Sequence, residues 1–213
     1  MMNSDMDQPS RRTCLRDPIP EIEQAKLLLS GAVSAHLAGR REEAKVLILR
    51  ADMPSIREWT NSLWAKASPY VKYRPVEGSP PFVSKENRVG DRKPTPDVRR
   101  RLIERDGYHC QFCGVPVIRE EIRNRIRRSY PELKLWSGES NELQHAAFQA
   151  MWLQYDHVVP HSRGGKSDEN NVVIACAPCN FGRMQYTLQE VGLVDPRGRE
   201  PVRSAWDGLE RFR

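Results

Sequence analysis

Apolar residues recur at helical spacing through the first third of the chain. Ile22, Ala25, Leu28, Leu29, Ala32 and Val33 share one face of a helix predicted to open at Pro20 and to stop at Gly39. Ala44, Leu47 and Ala51 predict a second helix from about Arg41, and Ile56, Trp59, Leu63 and Trp64 a third from Pro54. At that spacing the tryptophan pair reads as core filling rather than as a ligand site. Residues 20–67 are thus expected to form a small α-helical unit suited to binding a protein partner or to positioning, behind a flexible leader at 1–19. Six prolines between Ser68 and Pro96 then break the pattern. A solvated linker over 68–95 is the simplest expectation. The alternative is an extended arm that lays Lys72, Arg74, Lys85, Arg88, Arg92 and Lys93 along a phosphate backbone.

Thr95-Pro96-Asp97 has the chemistry of a helix start, with a hydroxyl cap, a proline in the first position and an acid in the first turn. Val98, Leu102 and Ile103 face inward on that helix, and Gly107 ends it. Ile118, Ile122 and Ile126 form a later apolar stripe, with Arg119, Arg123 and Arg127 as a basic stripe beside it. That basic face suits either contact with phosphates or plain solvation next to Glu120 and Glu121. A helical turn within Ser140–Ala150 and a strand near Met151–His157 follow. Trp206, Leu209 and Phe212 near the end are expected to pack back on the core.

Charge and cysteine usage narrow the chemistry. The formal net charge of +6 agrees with a polyanionic partner without requiring one. No apolar run reaches the roughly 18 residues of a membrane span, and Met1–Arg16 is polar rather than signal-like, so a cytoplasmic protein with no membrane partner is expected. Four of the five cysteines fall in two Cys-x-x-Cys pairs, Cys110/Cys113 and Cys176/Cys179. In a reducing compartment that spacing points to one tetrahedral zinc site. Four thiolates leave no open position for water, so such a zinc is structural. Cys14 acquires no role.

Between the two pairs lies the densest run of chemistry, Asp156-His157-Val158-Val159-Pro160-His161-Ser162-Arg163-Gly164-Gly165, followed by Asn171 and by Asn180 directly after Cys179. With the upstream Arg105-Asp106-Gly107-Tyr108-x-Cys110-x-x-Cys113-Gly114, these residues resemble the HNH endonucleases of the ββα-metal (His-Me finger) class, over about Pro96–Met184. The resemblance implies an α+β fold: a ββα-metal nuclease domain at 96–213 stapled by a four-cysteine zinc site, with an insertion at about 115–150, behind the helical unit. It departs from the family in two places. Asn180 stands where many members carry His, a variant the family itself uses, and the spacer after Cys113 is longer than in compact members.

Roles follow from residue chemistry and from that likeness. A neutral imidazole at His157 suits the activation of water against a phosphodiester. The resemblance puts Asp156 and Asn180 on a catalytic Mg²⁺ or Mn²⁺, whose hard oxygen ligands they supply, and makes Asn171 a structural pin for the loop. Arg183, one turn beyond Asn180, is expected to steady transition-state charge or to bind the backbone. Arg119, Arg123, Arg127, His161, Arg163 and Lys166 are candidate nucleic-acid contacts. The implied activity is DNA hydrolysis to 5′-phosphate and 3′-hydroxyl ends, with RNA left open. The rival is a zinc-stapled nucleic-acid reader or adaptor with a vestigial or partner-activated site.

Overall fold

The computed structural model describes residues 12–64, 67–138 and 140–213. The first eleven residues of the leader fall outside them, while residues 12–19 are anchored to the fold: the Arg12 amide donates to Gly192 O at 3.2 Å, and Cys14 and Leu15 are buried. Helices α1 (Pro20–Leu37), α2 (Arg41–Arg50) and α3 (Pro54–Trp64) follow where the apolar spacing predicts them. Prolines open α1 and α3, and Gly39 at φ 75° lets the chain leave α1 where a side chain would be strained.

Helix α4 (Pro96–Asp106) is capped by Thr95, whose hydroxyl accepts from the Val98 amide at 3.4 Å, and ends at Gly107 with φ 69°. Helix α5 (Glu120–Ser129) buries Ile122 and Ile126. Ile118 stays outside it, pairing instead in a parallel bridge with Trp152. A 3-10 turn at Asn141–Leu143 and the short α6 (Ala146–Ala150) lead into the antiparallel ribbon of β1 (Leu153–His157) and β2 (Val172–Cys176), in which His157 faces Val172. Helix α7 (Ala177–Arg183) starts directly from β2. The order β1, loop, β2, α7 places a ββα unit at the centre of an α+β fold.

That unit does not stand apart from the N-terminal helices. One buried cluster runs from Ile22, Leu29, Trp59 and Leu63 through Phe148 and Ile174 to Trp206, Leu209 and Phe212. Helix α3 lies against α7: a Cβ on Gly182 would sit 3.0 Å from Leu15 Cδ1 and 3.2 Å from Leu63 O. The buried His145 Nε2 meets Ile48 O at 2.8 Å, joining α2 to the turn before α6. The stripe that buries α1–α3 is thus shared with the C-terminal half, which the spacing of apolar residues within each helix does not reveal.

The proline-rich segment also departs from a solvated linker. Its amides and carbonyls are bonded to the loop between β1 and β2 and to the turn after α7: Val83 N to Ser162 O at 2.8 Å, Arg74 N to Glu190 O at 2.8 Å, and Arg163 Nη1 to Pro80 O at 2.7 Å. Lacking amide hydrogens at its prolines, the segment builds no ladder and instead lies as a strap across the loop. Among the described residues no helix is long and apolar enough to cross a membrane.

Candidate active site and metal centre

The two Cys-x-x-Cys knuckles meet. Cys110 and Cys113 follow α4, with Gly114 at φ 77° donating to Cys110 O at 2.8 Å to close the turn. Cys176 and Cys179 sit at the junction of β2 and α7. Gln111 N bonds Ile174 O at 2.8 Å, and Asp106 accepts from Ile174 N at 2.9 Å, so the first knuckle is tied to β2. All four sulfurs lie within 4.8 Å of one another, and those of Cys113 and Cys176 are 3.6 Å apart. Tetrahedral zinc with Zn–S of about 2.3 Å requires sulfurs about 3.8 Å apart, so the donor set and spacing fit a metal. Burial pushes the Cys110 thiol up, yet hydrogen bonds from the other three sulfurs win and hold it well below the usual thiol range.

One strand end carries the candidate pair. Asp156 and His157 are both buried, at 3% and 7% exposure, yet both line the same cleft, of about 740 Å³, together with Asn180 and His161. Alternation along β1 would turn neighbouring side chains to opposite faces, and the strand ends here so that both reach the cleft. Burial, with His161, Arg92 and Arg183 nearby, lowers the His157 imidazole to about 4, so it is neutral at physiological pH. Its Nε2 lies 2.9 Å from Ser167 Oγ, and Nδ1 has no partner among the described residues. Asn180 donates weakly to Gln154 at 3.5 Å, and its amide oxygen has no partner among the described residues.

Asn171 pins the loop. Its Oδ1 accepts from Val159 N at 2.9 Å, and its Nδ2 donates to Val159 O at 3.0 Å and Lys166 O at 2.9 Å. The fit leaves no room at Gly165, where a Cβ would stand 1.8 Å from Val159 O.

Arg183 is where the structure adds most to the sequence reading. It is 1% exposed, with Nη2 2.5 Å and Nε 3.2 Å from the two Asp156 oxygens, Nη2 also 2.5 Å from His157 O, and Nη1 2.6 Å from Tyr186 O. Its donors are committed to the protein, so it acts on the site by holding Asp156 and the end of β1. Burial pushes the Asp156 carboxyl up, and the Arg183 guanidinium opposes that rise.

The residues of the ββα unit match a known family over 142–182, described as HNH endonuclease. The chain carries an HNH endonuclease domain. No curated protein and no solved structure matches it. The matched span holds β1, β2 and α7 up to Gly182, while the first knuckle, α4 and the strap lie outside it.

Around the HNH site the candidate cations divide. Arg163, expected at the nucleic acid, is 8% exposed and bonded through Nη2 to both oxygens of the buried Glu190 at 3.0 Å, with its guanidinium 4.2 Å from the Phe82 ring centre. Arg123 is 4% exposed and sandwiched between Trp136 at 4.7 Å and Trp152 at 4.5 Å. Neither is open to phosphate, because the apolar stripe of α5 is wide enough to take Arg123 into the interior. Arg119 lines the cleft but holds Glu210 with two bonds of 2.5 and 2.7 Å. Arg127 and Lys166 are exposed outside the cleft, and His161 stands with its ring 5.5 Å from that of His157.

The cleft's basic wall comes instead from the strap, in part as the extended-arm alternative expected, and from α4. Arg88, Arg92 and Lys93 of the strap and Arg99 of α4 line it, whereas Lys72, Arg74 and Lys85 do not. Glu120, Glu121, Gln154 and Ser167 are further residues at or beside the site that sequence reasoning passed over. Charge in the strap was the one available signal. Nothing local marks Ser167.

Proposed function

We propose that the chain is a metal-dependent endonuclease that hydrolyses phosphodiester bonds of DNA, leaving 5′-phosphate and 3′-hydroxyl ends. The observation that carries this reading is the convergence of Asp156, His157 and Asn180 on one cleft whose rim holds Arg88, Arg92, Lys93 and Arg99. Asp156 and Asn180 would hold a Mg²⁺ or Mn²⁺ ion, which supplies charge neutralisation at the scissile phosphate when bound. Neutral His157 accepts a proton from the attacking water. The strap and α4 cations bind flanking phosphates, with Arg127 and Lys166 as outlying contacts and His161 at the cleft mouth. The cysteine quartet takes zinc and staples α4 to the β2–α7 junction. Packing of α3 against α7 supports reading residues 20–67 as a buttress of the site rather than as a recruiting module.

The test is cleavage of supercoiled plasmid with Mg²⁺ or Mn²⁺, wild type beside His157→Ala, with a chelator control and end-labelling of the products. Conversion to nicked or linear DNA by wild type alone is expected, with phosphatase-sensitive 5′ ends. Equal conversion by His157→Ala removes that residue from the mechanism. Binding without any cleavage favours the rival reading, a nucleic-acid reader.

A further inference from the structure

The hydroxyl of Ser167 stands between the catalytic candidate and the strap. Its Oγ is 2.9 Å from His157 Nε2, 2.6 Å from Asp91 O and 3.1 Å from Arg92 O. A hydroxyl has one proton to give, and backbone carbonyls only accept. The Ser167 proton therefore goes to the strap, at Asp91 or Arg92, and toward His157 the oxygen can only accept. Nε2 must then carry the imidazole hydrogen, since a bare nitrogen would face a bare oxygen lone pair at 2.9 Å. In a neutral ring this leaves Nδ1 as the lone pair.

We propose that Ser167 is a positioning residue that, anchored on the strap carbonyls of Asp91 and Arg92, locks His157 as the Nε2–H tautomer and leaves Nδ1 to accept the proton of water. The loop is built for this contact: Asn171 holds Lys166 O at 2.9 Å, one residue before Ser167. The strap is held in turn by Val83 N on Ser162 O and by Arg163 on Pro80 O. A segment about fifty residues before the matched HNH span thus completes its base. A shift of the strap would return the serine proton to His157 and release the ring. The consequence for catalysis rests on the nuclease reading above, whereas the tautomer itself does not.

The experiment is imidazole ¹⁵N–¹H correlation spectroscopy of the full-length, ¹⁵N-labelled protein at neutral pH, with His157 assigned by its loss in His157→Gln. Wild type should show a protonated Nε2, an unprotonated Nδ1 and a slowly exchanging Nε2–H signal. Ser167→Ala should lose that slow exchange, and Ser167→Thr, which keeps the hydroxyl, should restore it. Alongside, plasmid cleavage by Ser167→Ala should fall about tenfold or more in kcat with KM little changed, because only proton transfer is impaired. A wild-type His157 protonated on Nδ1, or a Ser167→Ala exchange rate equal to wild type, overturns the proposal. The expected spectra with no cleavage of any nucleic acid would leave the tautomer lock standing and refute the nuclease reading instead.

Discussion

Replacing Arg183 by Met separates a structural from a substrate-binding role for this guanidinium. In the folded chain the change strands the Asp156 carboxylate, 3% exposed, with no countercharge, and removes the donors to His157 O and Tyr186 O. Breaking one side of a buried ion pair costs about 3–5 kcal/mol. The lost carbonyl bonds would add about 1 kcal/mol each if independent, but they share the guanidinium, so we expect about 4 kcal/mol in all. For a chain of this length that is a fall in Tm on the order of 10 °C. Adding Asp156→Asn to Arg183→Met removes the stranded charge and should recover at least about half of the loss. The assay is urea denaturation followed by tryptophan fluorescence, on the two single variants and the double. A cost below about 1 kcal/mol for Arg183→Met, or a double variant no better than the single, would refute the buried-pair reasoning.

Three further outcomes follow from the same geometry. Burial lowers the pKa of His109, His145 and His157, the last from 6.5 to about 4. Such groups bind protons more readily unfolded, so stability should be full above about pH 6.5 and decline as pH falls toward 4; His157→Gln should flatten part of that decline, and equal denaturation midpoints at pH 7 and pH 5 would count against it. Cys110→Ser should lose bound zinc by elemental analysis and melt well below wild type, because a knuckle this small takes folding energy from its metal; unchanged melting and metal content would contradict it. Gly165→Ala should lose about 1–3 kcal/mol as the new methyl displaces Val159 O or Asn171, and an unaltered urea midpoint would show the loop to be looser than its contacts imply.

What the sequence determined by itself is what short-range chemistry decides. Proline and glycine punctuation bounded α1, α3 and α4, because a missing amide or a positive φ acts on its own residue. Cysteine spacing announced a four-cysteine cluster that could hold a metal, because each knuckle is a local turn. The run from Asp156 to Asn180 announced the HNH likeness, because a strand, a tight loop and a helix start fit within about 25 residues. The tertiary structure alone decided which cations face the cleft. Arg123 and Arg163 look like surface charges in sequence, and only the packing of Trp136, Trp152 and Glu190 around them removes them from solvent. Arg183 reads as a substrate contact until Asp156 is found against it. Arg92, Lys93 and Ser167 join the site through bonds between the strap and the loop, some 75 residues apart in the chain. Periodicity and spacing report on neighbours along the chain, and a desolvated charge or a shared hydroxyl proton depends on neighbours in space.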